Sequence, residues 1–117
     1  MTAWHDIGPL SVVERDGRAI ARIGGREIGV LRDPATGRLY AVRNRCPHSG
    51  APLCLGWVVE RSTGRPGAYE PSGRAVLRCP WHGWEYDLET GKCADDARMR
   101  AAVYPVRVED GRVLVCA

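Results

Sequence analysis

The sequence predicts an all-β protein built from stacked antiparallel sheets. Apolar segments are short, glycine-bearing turns separate them, and no run of ten or more residues holds a convincing 3.6-residue apolar period. The one weak helical stretch lies near Asp95 to Ala102. A chain of 117 residues makes one domain, 1–117, with room for a modest core and no second one. With 44% hydrophobic and 26% charged residues, the composition is ordinary for a globular protein and argues against disorder.

The elements follow in order. Asp16-Gly17 and Gly24-Gly25 separate short apolar segments in the manner of tight hairpins. Ile28, Val30 and Leu31 form a strand leading into a turn at Asp33 to Gly37, after which Leu39 to Val42 resume the strand pattern. Residues 58–74 contain two Gly/Pro clusters, Ser62 to Gly67 and Pro71 to Gly73, which mark an exposed loop or an extended hairpin. A tolerated surface insertion is favoured there over a partner-recognition loop. Near the end Tyr104, Val106 and Val108 alternate with polar residues, Asp110-Gly111 turns the chain, and Val113 to Val115 return.

Chemistry concentrates in two short segments. Cys46-Pro47-His48 and Cys79-Pro80-Trp81-His82 each offer one thiolate and one imidazole, two or three residues apart on a tight loop. Such a pair supplies two sulfur and two nitrogen donors, the set for a [2Fe-2S] cluster with cysteines on one iron and histidines on the other. Gly50 and Gly83 follow, and without a Cβ they let the backbone approach inorganic sulfide. The same Cys2His2 set also suits a tetrahedral zinc ion. The Pro/Gly context, with Trp81 and Trp84 alongside, disfavours zinc. A metal-free core reading is weaker still, because two of only three histidines fall in these segments.

The stretches Cys46-Pro47-His48-Ser49-Gly50-Ala51-Pro52-Leu53-Cys54 and Cys79-Pro80-Trp81-His82-Gly83-Trp84-Glu85-Tyr86-Asp87 closely resemble the two cluster loops of the Rieske family. The resemblance runs from about Leu39 to Cys93 and more faintly to the end. It implies the Rieske fold, a small cluster-binding subdomain at about 43–89 inserted into a larger base. It also implies a [2Fe-2S] cluster held by Cys46, His48, Cys79 and His82. High-potential members staple their loops with a disulfide at positions that are Ala51 and Trp81 here, and carry a serine where this chain has Trp84. Tyr86 matches the family's tyrosine. Fewer hydrogen-bond donors stabilise an added electron less, which points to the low end of the family's range of about −150 to +300 mV.

Other function classes find little support. After His48 and His82 only His5 remains, too few for the two-histidine, one-carboxylate iron site of a Rieske oxygenase. No Gly-rich phosphate loop follows a strand, and the residues form no nucleophile, base and orienter set. The net charge of +3 gives no case for nucleic acid. The first residues lack a signal peptide's basic and apolar regions, and no stretch reaches the roughly 20 apolar residues of a membrane span. Of five cysteines, Cys54, Cys93 and Cys116 are left over, an odd number that suits free thiols in a reducing cytoplasm, with Cys54 packed as a small hydrophobe beneath the cluster loop. The expectation is therefore a soluble, cytoplasmic one-electron carrier, no enzyme itself, that passes electrons from a reductase to an oxygenase or similar acceptor. The alternative is a Rieske-like small subunit of a larger reductase, such as nitrite reductase.

Overall fold

The computed structural model describes residues 2–65 and 67–117, with the side chains of residues 62–65 and 69–71 outside that description. Its strands are β1 (Trp4–Pro9), β2 (Arg18–Ile23), β3 (Arg26–Arg32), β4 (Leu39–Arg43), β5 (Trp57–Arg65), β6 (Ala68–Arg78), β7 (Glu85–Asp87), β8 (Val103–Tyr104), β9 (Val106–Glu109) and β10 (Arg112–Cys116). They pair antiparallel in three sheets, ordered β1-β10-β9, β2-β3-β4-β8 and β5-β6-β7. The all-β architecture expected from the sequence is the one observed.

Two hairpins show how local chemistry sets register. Ile23 pairs with Arg26 across Gly24 and Gly25, and Glu109 pairs with Arg112 across Asp110 and Gly111. All four turn residues have positive φ, between 50° and 79°. A two-residue turn of this hand matches the twist of the flanking strands, and Gly-Gly or Asp-Gly adopts it with least strain.

Asp16-Gly17 behaves differently from the expected hairpin. It ends a seven-residue helix, α1 (Leu10–Asp16), with Gly17 at φ 78° donating its N–H to the Val13 carbonyl at 2.8 Å. A left-handed glycine is a common helix stop as well as a hairpin residue. The helix start was hidden because Pro9 holds the N-cap position and no side chain caps it. The helical stretch expected near Asp95 to Ala102 is not helical. That segment makes turns and an isolated bridge between Lys92 and Arg100, with the Ala101 N–H on the Gly91 carbonyl. Residues 58–65 and 68–74 belong to the long hairpin β5–β6, the second of the two expected forms, whose register shifts between Glu60 and Ser62. The Ser62 to Gly67 cluster includes Pro66, which lies outside the described residues.

Two apolar clusters fill the interior. One, under α1 and the first sheet, gathers Val13, Ile28, Val30, Val113 and Val115. The other gathers Leu31, Val42, Leu53, Cys54, Leu77, Tyr86 and Leu88, and Cys46 and Cys79 are part of it. Burying a leucine such as Leu53 or Leu77 contributes about 1.5–3 kcal/mol. The loops that follow β4 and β6 are therefore rooted in core.

Cys54 is fully buried, and burial pushes its thiol pKa up to about 12, so it stays protonated and donates to the Val42 carbonyl at 3.3 Å. Its room comes from Gly29 in mid-β3, where a β-carbon would lie 2.7 Å from the Cys54 Cβ. A strand glycine at a close approach is what such crowding requires. Cys54 is thus the small hydrophobe beneath the loop that the sequence suggests.

Candidate functional site

The two Cys/His loops share one hydrogen-bond scheme. In the first, between β4 and a 3-10 turn at Leu53–Leu55, the Cys46 N–H donates to the Ala51 carbonyl at 2.8 Å. The Gly50 N–H returns to the Cys46 carbonyl at 2.7 Å. In the second, between β6 and β7, Cys79 donates to Trp84 at 2.8 Å and Gly83 donates to Cys79 at 3.0 Å. Gly50 and Gly83 both sit in the left-handed region, at φ 75° and 72°, which a β-carbon would disfavour. Each loop is a five-residue reversal that starts on a cysteine and is closed by a glycine.

The first loop is pinned from outside as well. Asn44 Oδ1 accepts the Cys54 N–H at 2.8 Å, and its amide donates to Glu27 at 3.2 Å. The Arg18 guanidinium donates to the carbonyls of Cys54 and Gly56. These bonds satisfy buried backbone groups that the reversal leaves without strand partners.

Contacts between the two loops bring the expected donors into one region. Cys46 and Cys79 are 0% and 1% exposed, whereas His48 and His82 are exposed. The two imidazole rings stand 5.1 Å apart, centroid to centroid, at 69°. The thiols thus lie inside and the rings lie at the surface. Among the described residues, no three His, Cys, Asp or Glu side chains gather closely enough to hold one ion. A two-iron cluster takes two side chains on each iron, whereas tetrahedral zinc draws all four donors to one point. The donor set serves either group, and the layout of buried thiols beneath exposed imidazoles fits the cluster.

Around the thiols, Tyr86 and Ser49 supply hydroxyls. Tyr86 is 1% exposed and its hydroxyl lies 3.1 Å from Cys46 Sγ. Burial raises the Cys46 thiol, but the hydrogen bonds of Tyr86, Ser49 and backbone N–H groups outweigh it and leave the pKa below the ordinary value. The Tyr86 phenol moves the opposite way, pushed up first by burial and then by the sulfur it faces. It therefore remains a donor to a thiolate. Ser49 Oγ lies 3.9 Å from Cys79 Sγ.

The sequence reading singled out Tyr86 and missed Ser49. Aligning the loops on their Cys and Gly would have found it, since Ser49 occupies the place that His82 holds in the second loop. Also missed was the stacking of Trp84 on His48, with centroids 3.7 Å apart and planes 6° from parallel. Expected outcome: Tyr86→Phe keeps the fold and lowers the cluster's midpoint potential. A donor to the ligand sulfur strengthens as negative charge builds there; about 1 kcal/mol of such strengthening corresponds to roughly 40 mV for one electron. Protein-film voltammetry measures it, and an unchanged or raised potential would remove Tyr86 from that role.

Known proteins resemble the chain in sequence and in fold. The anthranilate 1,2-dioxygenase ferredoxin subunit of Burkholderia cepacia is 29% identical over 117 residues, 98% of this chain and 93% of that protein. The 4β-methylsterol monooxygenase of Methylococcus capsulatus is 33% identical over 119 residues. The chain spans 28% of the length of that relative and 16% of a sea-urchin (Hemicentrotus pulcherrimus) cholesterol 7-desaturase. Among solved structures, the putative NADH-dependent nitrite reductase small subunit of Mycobacterium tuberculosis superposes with TM-score 0.82 at 27% identity, covering 100% of this chain and 96% of that one. The carbazole 1,9a-dioxygenase ferredoxin of Nocardioides aromaticivorans has the same fold, with TM-score 0.73 at 24% identity and coverage of 97% and 96%. A match to the Rieske-like [2Fe-2S] domain extends over residues 3–116, so the chain belongs to that family and its cofactor is a [2Fe-2S] cluster.

Proposed function

We propose that the chain is a one-electron carrier of the cytoplasm, taking electrons from a reductase and passing them to an oxygenase or similar acceptor. In this reading Cys46 and Cys79 hold one iron and His48 and His82 the other, within a cluster-binding subdomain of about residues 43–89. The observation that carries it is the placement of two buried thiols beneath two exposed imidazoles on twin loops. When bound, the cluster supplies a centre that accepts and returns a single electron.

The chain's residues do the rest. Two thiolates rooted in the core exclude water from the inner side, and neutral imidazoles in place of two further thiolates make the added electron easier to accept. The exposed rings give the electron a short way out. Pro47 and Trp81, the latter 60% exposed, form an apolar rim beside them. Trp84 occupies the place of the high-potential members' serine and Ala51 that of a stapling cysteine, so the potential belongs at the low end, near −150 mV.

The test is direct. Purified protein should be red-brown, carry two irons and two sulfides per chain, and give a low-average-g paramagnetic signal after dithionite. Background iron and sulfide would overturn the reading. Trp81→Ala should leave that signal in place and slow electron transfer to the native acceptor; an unchanged rate assigns Trp81 to packing. The likeness to nitrite reductase small subunits favours a second reading, a subunit of a larger reductase. Co-purification with a large siroheme protein would put it first.

A further inference from the structure

The rim of the first loop carries charge as well as apolar surface. A cavity of about 200 Å3 beside Pro47 is lined by Arg43, Arg45, Arg100, Ala101 and Ala102. Backbone bonds bring these residues together: the Arg43 N–H donates to the Ala102 carbonyl at 2.9 Å, and the Arg45 N–H donates to the Arg43 carbonyl at 2.8 Å. The Arg45 guanidinium reaches toward the cluster loop, 3.8 Å from where a β-carbon on Gly50 would sit.

All three arginines are exposed, and none makes an ion pair or side-chain hydrogen bond among the described residues. Elsewhere most arginines are answered: Arg38, Arg74, Arg78, Arg98 and Arg112 each meet a carboxylate within 3.2 Å. Two neighbouring acids, Asp95 and Asp96, are committed, the second of them also feeling the charge of His48. Asp95 accepts the Glu85 N–H at 2.9 Å, and Asp96 is held by Arg98 well down, to about 2. Three positive charges with no ion pair among the described residues therefore stand beside Pro47, the residue before His48.

We infer that this arginine-lined cavity is the docking point for a carboxylate-rich surface of the redox protein that exchanges electrons through the histidine face. Guanidinium groups bind carboxylates in a fork and hold them with orientation. A cluster of one sign also raises the encounter rate of an oppositely charged partner by about 10 to 1,000-fold, an effect that salt removes. Carboxylates seated at Arg43, Arg45 and Arg100 would hold the partner's own centre over Pro47 and His48. This inference rests on the carrier reading above.

The experiment uses two small oxidants of opposite charge on the dithionite-reduced protein. Ferricyanide is a trianion and tris(phenanthroline)cobalt(III) a trication. Each removes one electron, returning the ferrous iron to ferric and becoming ferrocyanide or the cobalt(II) complex. Wild-type protein should react with ferricyanide fast at low salt and more slowly as salt rises. The triple change Arg43→Gln, Arg45→Gln, Arg100→Gln should slow the ferricyanide reaction about tenfold at low salt, speed the cobalt reaction, and flatten the salt dependence. The distant triple Arg15→Gln, Arg107→Gln, Arg112→Gln removes the same net charge and should change both rates less than about twofold. Polyglutamate should protect wild-type protein from ferricyanide and fail to protect the loop triple. Equal behaviour of the two triples, or a wild-type ferricyanide rate indifferent to salt, would overturn the inference. So would protection by inorganic phosphate equal to that by polyglutamate, which would leave only a small-anion site. A protein with no paramagnetic signal after dithionite fails the carrier reading instead, before any rate is measured.

Discussion

Replacing His82 by alanine is expected to leave purified protein nearly colourless, with iron well below two per chain. The outer iron would keep one of its two side-chain donors, and the exposed position of His82 lets water compete for the vacancy. Loss of the cluster then reaches inward, because Cys46 and Cys79 are packed in the same apolar cluster as Leu53, Leu77 and Tyr86. Binding energy at such a centre is also folding energy. The loops should lose protection from hydrogen exchange while the strands around Val30 and Val113 keep theirs. His82→Cys provides the comparison. A third thiolate adds one negative charge, so a cluster retained there should have a lower potential and lose the low-average-g signal. Full iron content with unchanged g values in His82→Ala would show that His82 is no ligand.

The second large effect is structural. Gly56→Ala should lower the melting temperature by roughly 4–12 °C and reduce cluster loading. A β-carbon at Gly56 would fall on the Arg78 carbonyl oxygen and lie 3.1 Å from the carbonyl oxygen of Leu53. Both neighbours are main chain, so neither can swing aside as a side-chain tip would. Overpacking of this kind costs about 1–3 kcal/mol, each kcal/mol being worth about 4 °C in a domain of this size. Arg78 directly precedes Cys79, and Gly56 closes the turn that follows Cys54. The substitution therefore pushes apart the end of one cluster loop and the start of the other. Gly25→Asn is the control: the turn is open, with nothing within 4 Å, and asparagine tolerates its left-handed conformation. An unaltered melting point in Gly56→Ala would mean that β5 and β6 separate without cost.

Sequence pattern predicted the fold class and proposed the Cys/His donors, but it missed single elements. Donors within three residues of each other declare themselves, because metal chemistry restricts both residue type and spacing. Period-two apolar segments and paired turn residues likewise exposed β2–β3 and β9–β10. The helix at Leu10–Asp16 escaped because two turns are too short for a period, and its closing glycine reads equally as a hairpin. The weak apolar period near Asp95 to Ala102 misled for a tertiary reason: those residues spend their backbone bonds on Gly91, Arg43 and one another across short turns. The Trp84–His48 stack and the hydroxyl of Ser49 near Cys79 were illegible in isolation. Both depend on how one loop faces the other.

The twin loops hold one more consequence. Their backbones repeat residue for residue, cysteine on cysteine and glycine on glycine, yet the imidazole is carried one step later in the second. The repeat is thus exact in its frame and out of phase in its cargo, like two rulers read with a vernier. Among the described residues, one ring comes to rest against an indole plate and the other does not. In the proposed ligation, a centre of even-handed composition, two sulfurs and two nitrogens, would be given a near side and a far side by that single step. Nitrogen hyperfine couplings of the reduced protein should resolve into two unequal sets, and Trp84→Leu should bring them closer together.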